Sequence, residues 1–141
     1  MTTLAADKAR KFENVDQQIQ NSLPVIAADI IYCGALVGDN GSGYARPLVA
    51  GDSFWGICTD QCDNSAGAAG AKYVNVLSEF FIVVAVTGAS AVTDVDSTVY
   101  ASDDDTFTLS STSNSTVGKV HRWVSGTTCV VHCQAVSQRS I

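Results

Sequence analysis

Apolar positions along the chain fall into short runs of strand length, separated by glycine, asparagine and aspartate. In residues 21–60 the runs Val25-Ile26, Ile30-Ile31-Tyr32-Cys33 and Phe54-Trp55-Gly56-Ile57-Cys58 alternate with turn-forming groups. The segment Gly38-Asp39-Asn40-Gly41-Ser42-Gly43 is the strongest turn signal, because glycine and asparagine accept the positive φ of tight turns. Residues 44–49 read as a strand in which Pro47 points to a sheet edge, since proline cannot donate to a ladder. Pro24 biases Leu23 towards an extended conformation.

The second half repeats the scheme. Lys72-Tyr73-Val74-Asn75-Val76 alternates as a half-buried strand does, after a small-residue loop over 63–70. Residues 80–86 are continuously apolar, which predicts a central strand covered on both faces. Strands over 97–100 and 106–109 flank a turn through Asp103, Asp104 and Asp105, and strands over 117–124 and 128–136 flank Ser125-Gly126. Strands at this spacing, with no long helical period, predict an all-β fold, a compact barrel or sandwich of short antiparallel strands.

Residues 1–20 differ from the rest. Lys8, Arg10, Lys11, Glu13 and Asp16 crowd a segment with few large apolar side chains, so we read 1–20 as an extended N-terminal arm and 21–141 as a single β-domain. Twenty extended residues reach roughly 66 Å. A short helix presenting Phe12, Val15 and Ile19 on one face is the competing local pattern, and a frayed terminus without a role is the plainest one.

Composition narrows the function classes. A chain of 141 residues with net charge -6 lacks the basic footprint of a nucleic-acid binder. No apolar run approaches the ~20 residues of a membrane-spanning helix. The start of the chain has neither the basic nor the apolar region of a secretory signal, which predicts synthesis in the cytoplasm and reduced thiols for Cys33, Cys58, Cys62, Cys129 and Cys133.

Candidate chemistry is sparse. Cys58 with Cys62 and Cys129 with Cys133 offer four thiolates, a possible zinc set. Cys129 and Cys133, however, sit in an expected strand, which separates them by about 13 Å at ~3.3 Å per residue. Asp94, Asp96 and residues 103–105 lack the spacing of a calcium loop. The glycine-rich turn at 38–43 lacks the Lys-Ser/Thr pair of a phosphate loop. The only histidines are His121 and His132, and no serine sits in a G-x-S-x-G elbow. We therefore expect no enzyme, no cofactor and no metal site.

The stretch Gly43-Tyr44-Ala45-Arg46-Pro47-Leu48-Val49-Ala50-Gly51-Asp52, followed by Phe54-Trp55-Gly56-Ile57, resembles the capsid decoration (cement) proteins of tailed bacteriophages. Val99-Tyr100 before the aspartate-rich turn, and Thr116-Val117-Gly118-Lys119-Val120, extend the likeness over about residues 21 to 136. The resemblance implies a virion protein on the outer capsid surface, a homotrimer that stabilises the shell. Its partners would be itself and the major capsid protein, and its N-terminal segment would contact that protein. Lys8, Arg10, Lys11 and Phe12 are then the candidate capsid contacts, the first three as the only local basic cluster in an acidic chain. The alternative is a β-sandwich module that recognises a carbohydrate or host surface through Tyr44, Trp55, Tyr100 or Trp123.

Overall fold

A computed structural model of the chain describes residues 3–13 and 19–138. Twelve strands account for nearly all of its regular structure: β1 (Lys11–Glu13), β2 (Ile19–Pro24), β3 (Asp29–Ile31), β4 (Leu36–Asp39), β5 (Ala45–Pro47), β6 (Phe54–Cys58), β7 (Cys62–Asn64), β8 (Tyr73–Thr87), β9 (Thr98–Asp103), β10 (Thr106–Thr108), β11 (Ser115–Ser125) and β12 (Thr128–Gln134). Among the described residues the 3-10 turns Val92–Asp94 and Val136–Gln138 add to them. The all-β expectation holds, and the barrel is the form it takes.

β8 is the spine. Its 15 residues contain the apolar run read from the sequence as a central strand. One edge of β8 pairs with β12 over Glu79 to Ala85 and then with β6 at Val76 and Leu77. The opposite edge pairs with β10 at Val86 and Thr87, with β1 at Phe81 to Val83, and with β2 from Glu79 to Tyr73. Both edges of β8 are thus paired, but the expected cover on both faces does not hold: Val74, Val76, Phe80, Ile82 and Val86 are buried, whereas Tyr73, Asn75, Ala85 and Thr87 are exposed and Phe81 and Val83 half-buried. One face lies on the cores and the other turns outward.

The sheet order β8, β12, β11, β9, β10 returns to β8 through a parallel pairing of Phe107 with Val86. These five strands form a small closed barrel, which removes sheet edges from that part of the molecule. Phe80, Ile82, Val86, Val99, Ala101, Phe107, Val117, Val120, Cys129, Val131 and Cys133 are buried in one core cluster that also takes in Phe54 and Ile57 of β6. Phe80 is its hinge, edge-on to Phe54 at 6.3 Å and to Phe12 at 5.8 Å.

β4, β5 and β6 continue the sheet beyond the barrel, and β3 with β7 makes a separate two-stranded ladder. A second core, built from Val25, Ile31, Ala35, Val37, Ala45, Cys58, Cys62, Val74 and Val76, lies beneath them. β8 therefore serves both cores, with Val74 and Val76 in the second and Phe80, Ile82 and Val86 in the first. Between them Ser78 is fully buried, and its hydroxyl lacks a partner among the described residues.

Several boundaries differ from the sequence reading. β4 enters the segment assigned to a turn at 38–43, because Gly38 pairs with Arg46 and Phe54 before the chain reverses. β7 lies partly inside the expected small-residue loop, where Asn64 Nδ2 donates to Ile26 O and Ala68 O and ties that loop down. Pro47 ends β5 at the border of the sheet, as its missing donor requires.

Candidate functional site

The N-terminal segment carries all four candidate contact residues, and over residues 3–13 it is a strap on the chain's own body rather than a free arm. β1 lies on the β8 edge with Lys11 opposite Val83 and Glu13 opposite Phe81. Phe12 points inward onto the main core. Leu4 packs on the second core, and its N–H donates to Asp104 Oδ1 at 3.1 Å. Lys8 N–H donates to Cys33 O, and Cys33 N–H donates to Asp7 Oδ1.

Two of the basic residues are held by one carboxylate. Lys8 Nζ and Arg10 Nη2 each lie 2.8 Å from Asp105 Oδ1, and Arg10 Nε donates to Gly34 O. The Arg10 side chain is only 6% exposed, whereas that of Lys8 is 47% exposed. Gly34 has φ +88, and a Cβ there would collide with Lys8 O, so glycine is what lets the strap lie down. Lys11 is exposed. Among the candidates, Arg10 and Phe12 fasten the strap, and Lys8 and Lys11 present charge to solvent.

The division at residue 20 also shifts, because β2 runs across it from Ile19 to Pro24. Phe12 and Ile19 both lie in strands, which sets aside the amphipathic helix, and Val15 falls outside the described residues.

Asp104 is buried at the tip of the β9–β10 hairpin. Burial is the main cause that raises its carboxyl to about 6, and the neighbouring Asp103 and Asp105 charges add to it, against the Leu4 N–H bond. The sequence shows this hairpin tip only as an aspartate-rich turn. Its role as receptor for the strap lay in contacts between residues nearly a hundred positions apart, which no local pattern encodes.

A second cluster was also missed. On the outer face of the barrel, His132 stacks on Phe81 with centroids 4.3 Å apart, and His121 meets the same ring at 4.9 Å. His132 Nε2 lies 2.8 Å from Glu79 Oε2, which also accepts from Gln134 Nε2. Arg122 reaches over from β11 to Glu13 of β1 at 2.7 Å. The period of two in β8 and β12 put these groups on one face, a signal readable only once register is known.

The five thiols are free, and four of them are buried. Burial pushes Cys58 up to about 12 and raises Cys33, Cys62 and Cys129, the reverse of what a reactive thiol requires. Among the described residues no three His, Cys, Asp or Glu side chains converge as a metal would need. The aspartates at 94–96 and 103–105 do not meet; Asp94 instead accepts the N–H groups of Ser90 and Ala91.

An open groove of about 520 Å³ lies between β3, β5 and the start of the strap, with Leu4, Ile26, Ile30, Tyr32, Pro47 and Val49 in its lining. The aromatic residues of the carbohydrate reading, Tyr44, Trp55, Tyr100 and Trp123, are half-buried. Trp55 packs on the second core, and Trp123 packs on the main core while its Nε1–H donates to Gly126 O. The most exposed of the large aromatic side chains is Tyr73, at 61%. No family model, no curated protein and no solved structure matches the chain.

Proposed function

We propose that this chain is a head decoration protein of a tailed bacteriophage, bound to the outside of an icosahedral shell as a trimer that stabilises it. The observation that carries the reading is the stretch behind the family resemblance. It folds as β5, a tight turn clamped by Arg46 on Asp52 at 2.8 Å, and β6, which joins that border of the sheet to the barrel. The side chains of this stretch serve packing and turns, as they do in a protein whose work is to adhere.

A capsid ligand needs surface complementarity repeated many times, and joining several weak contacts in one oligomer gives high avidity. In this reading the strap stays docked on β8, and Lys8 and Lys11 face an acidic surface of the major capsid protein. Arg10 and Phe12 act indirectly by holding the strap in place.

Co-sedimentation with heads of the encoding phage, prepared with this gene interrupted, tests the reading. Purified protein is expected to saturate the heads and raise their resistance to heat or chelator. The double variant Lys8→Glu, Lys11→Glu is expected to bind at least tenfold more weakly at low salt. Absence of the wild-type protein from sedimented heads overturns the assignment; equal binding by the variant overturns the role of the strap's charges.

A further inference from the structure

Among the described residues β5, β3 and β2 each lie at a border of their sheet, with β5 partly covered by the bridge of Val25 to Ala45, and they are not equally protected. β5 carries Arg46 and Pro47, and β3 opens with Asp29, whose carboxylate takes the N–H of Ile30 at 2.7 Å. Charge, proline and local capping of this kind are how sheet edges are kept from pairing with other chains. β2 has no charge and, along its first five residues, no proline; its one such device is the local cap of Ser22 N–H by Asn21 Oδ1. Ile19, Gln20, Asn21 and Ser22 are all exposed, and residues 19–28 include no charged side chain.

Among the described residues β2 pairs with β8 alone. The donation of Val25 N–H to Lys72 O sets the phase of the ladder. By that phase Asn21 and Leu23 direct their main-chain groups to β8, and Gln20 and Ser22 direct theirs away from it. Ser22 N–H is met only by the neighbouring Asn21 Oδ1 at 2.8 Å, a local and exposed substitute for a ladder bond.

We propose that this border is a self-association site, at which β2 of a second copy pairs antiparallel with β2 about a two-fold axis through Asn21. In that register Gln20 faces Ser22 of the second copy and the reverse, so that four main-chain hydrogen bonds form across the axis. Ile19, 41% exposed in the single chain, comes opposite Leu23 of the second copy. The two Asn21 amides meet at the axis, and Asn21 Oδ1 gives up the Ser22 N–H to the incoming carbonyl.

Electrostatics favour the same place. Each copy carries a net charge of -6 and repels the other, so an approach through an uncharged strand meets the least opposition. The contact is isologous and, between two single chains, closes after two members. It is independent of what the protein adheres to, and it adds a two-fold contact to whatever other oligomer the chain forms.

Analytical ultracentrifugation of the full chain over a concentration series, with the Asn21→Lys variant beside it, tests the pairing. The variant places two ammonium groups face to face at the axis while leaving the exposed strand otherwise intact. Wild-type protein is expected to reach twice the mass of a monomeric variant at high concentration, and at least twice the mass of a trimeric one, each of whose three β2 borders can recruit a further trimer. Amide hydrogen exchange at Gln20 and Ser22 is expected to slow with concentration in the wild type alone. Thermal melts at low concentration check that the variant folds. Equal masses for the two proteins, or exchange at Gln20 and Ser22 that ignores concentration, overturn the proposal.

Discussion

The barrel and the strands before it are held by different kinds of bond. In the ring of β8, β12, β11, β9 and β10, each strand pairs with neighbours on both sides, and the last gap is closed by the Phe107 to Val86 pairing. The N-terminal part has the six-residue ladder of β2 on β8 and otherwise leans on side chains. Arg10 on Asp105, Asp7 on Cys33 N–H, Arg46 on Asp52 and the Asn64 amide fix segments whose ladders are only three residues long. Main-chain ladders tolerate changes of sequence and pH, and ionic and side-chain ties do not. The contrast therefore predicts which half of the molecule responds to which perturbation.

The largest effect is expected where the two parts share a residue. Phe80 touches Phe54 on one side and Phe12 of the strap on the other, so Phe80→Ala is expected to cost about 3 to 5 kcal/mol. Because β8 lines both cores, chemical denaturation followed by tryptophan fluorescence and by circular dichroism should shift as one transition. Two separated transitions would show that the parts fold independently.

A smaller and more local effect is expected at Gly34. Gly34→Ala introduces a Cβ against Lys8 O at a φ of +88, a conformation that costs an L-residue about 1 to 3 kcal/mol. The strap should lift while the barrel stays closed. Trypsin is then expected to cut after Lys8, Arg10 or Lys11 well before the rest of the chain, whereas wild-type protein resists. Equal cleavage of both proteins would mean that the strap is not held through this contact.

The mildest test concerns Asp104. Its folded-state carboxyl is raised to about 6 from an ordinary value of 3.8, so the folded chain holds this proton more tightly than the unfolded one. The stability it contributes is complete below about 3.8 and is lost as pH rises through about 6. Asp104→Asn keeps an acceptor for Leu4 N–H and removes the titration. Its melting temperature should change less than that of the wild type between these two pH values. Parallel pH profiles would remove Asp104 from the account.

Much of the barrel was legible in the sequence because its signals are local. The continuous apolar run gave the spine, Pro47 gave a border, and Ser125-Gly126 gave the β11–β12 hairpin. The period of two placed Cys129 and Cys133 in one strand, apart from any shared metal. What escaped was non-local. The parallel closure by β10, the strap's hold on Asp104 and Asp105, and the Phe81, His121 and His132 cluster each join positions far apart in the chain. The sparse apolar content of residues 1–20 read as an arm because two large side chains, Leu4 and Phe12, suffice to anchor a strap when glycine and arginine do the rest.

The position of β8 in the chain also governs how the protein is made. β1 and β2 leave the ribosome before β8, their ladder partner at residues 73–87, and the barrel cannot shut until β12 has followed. At translation speeds of ~5–20 residues per second, the N-terminal strands wait for seconds with their edges bare. Strands that are polar and poor in apolar side chains offer little to aggregation during that wait. The composition that makes residues 1–20 read as an arm is thus suited to the nascent chain as well as to the finished fold.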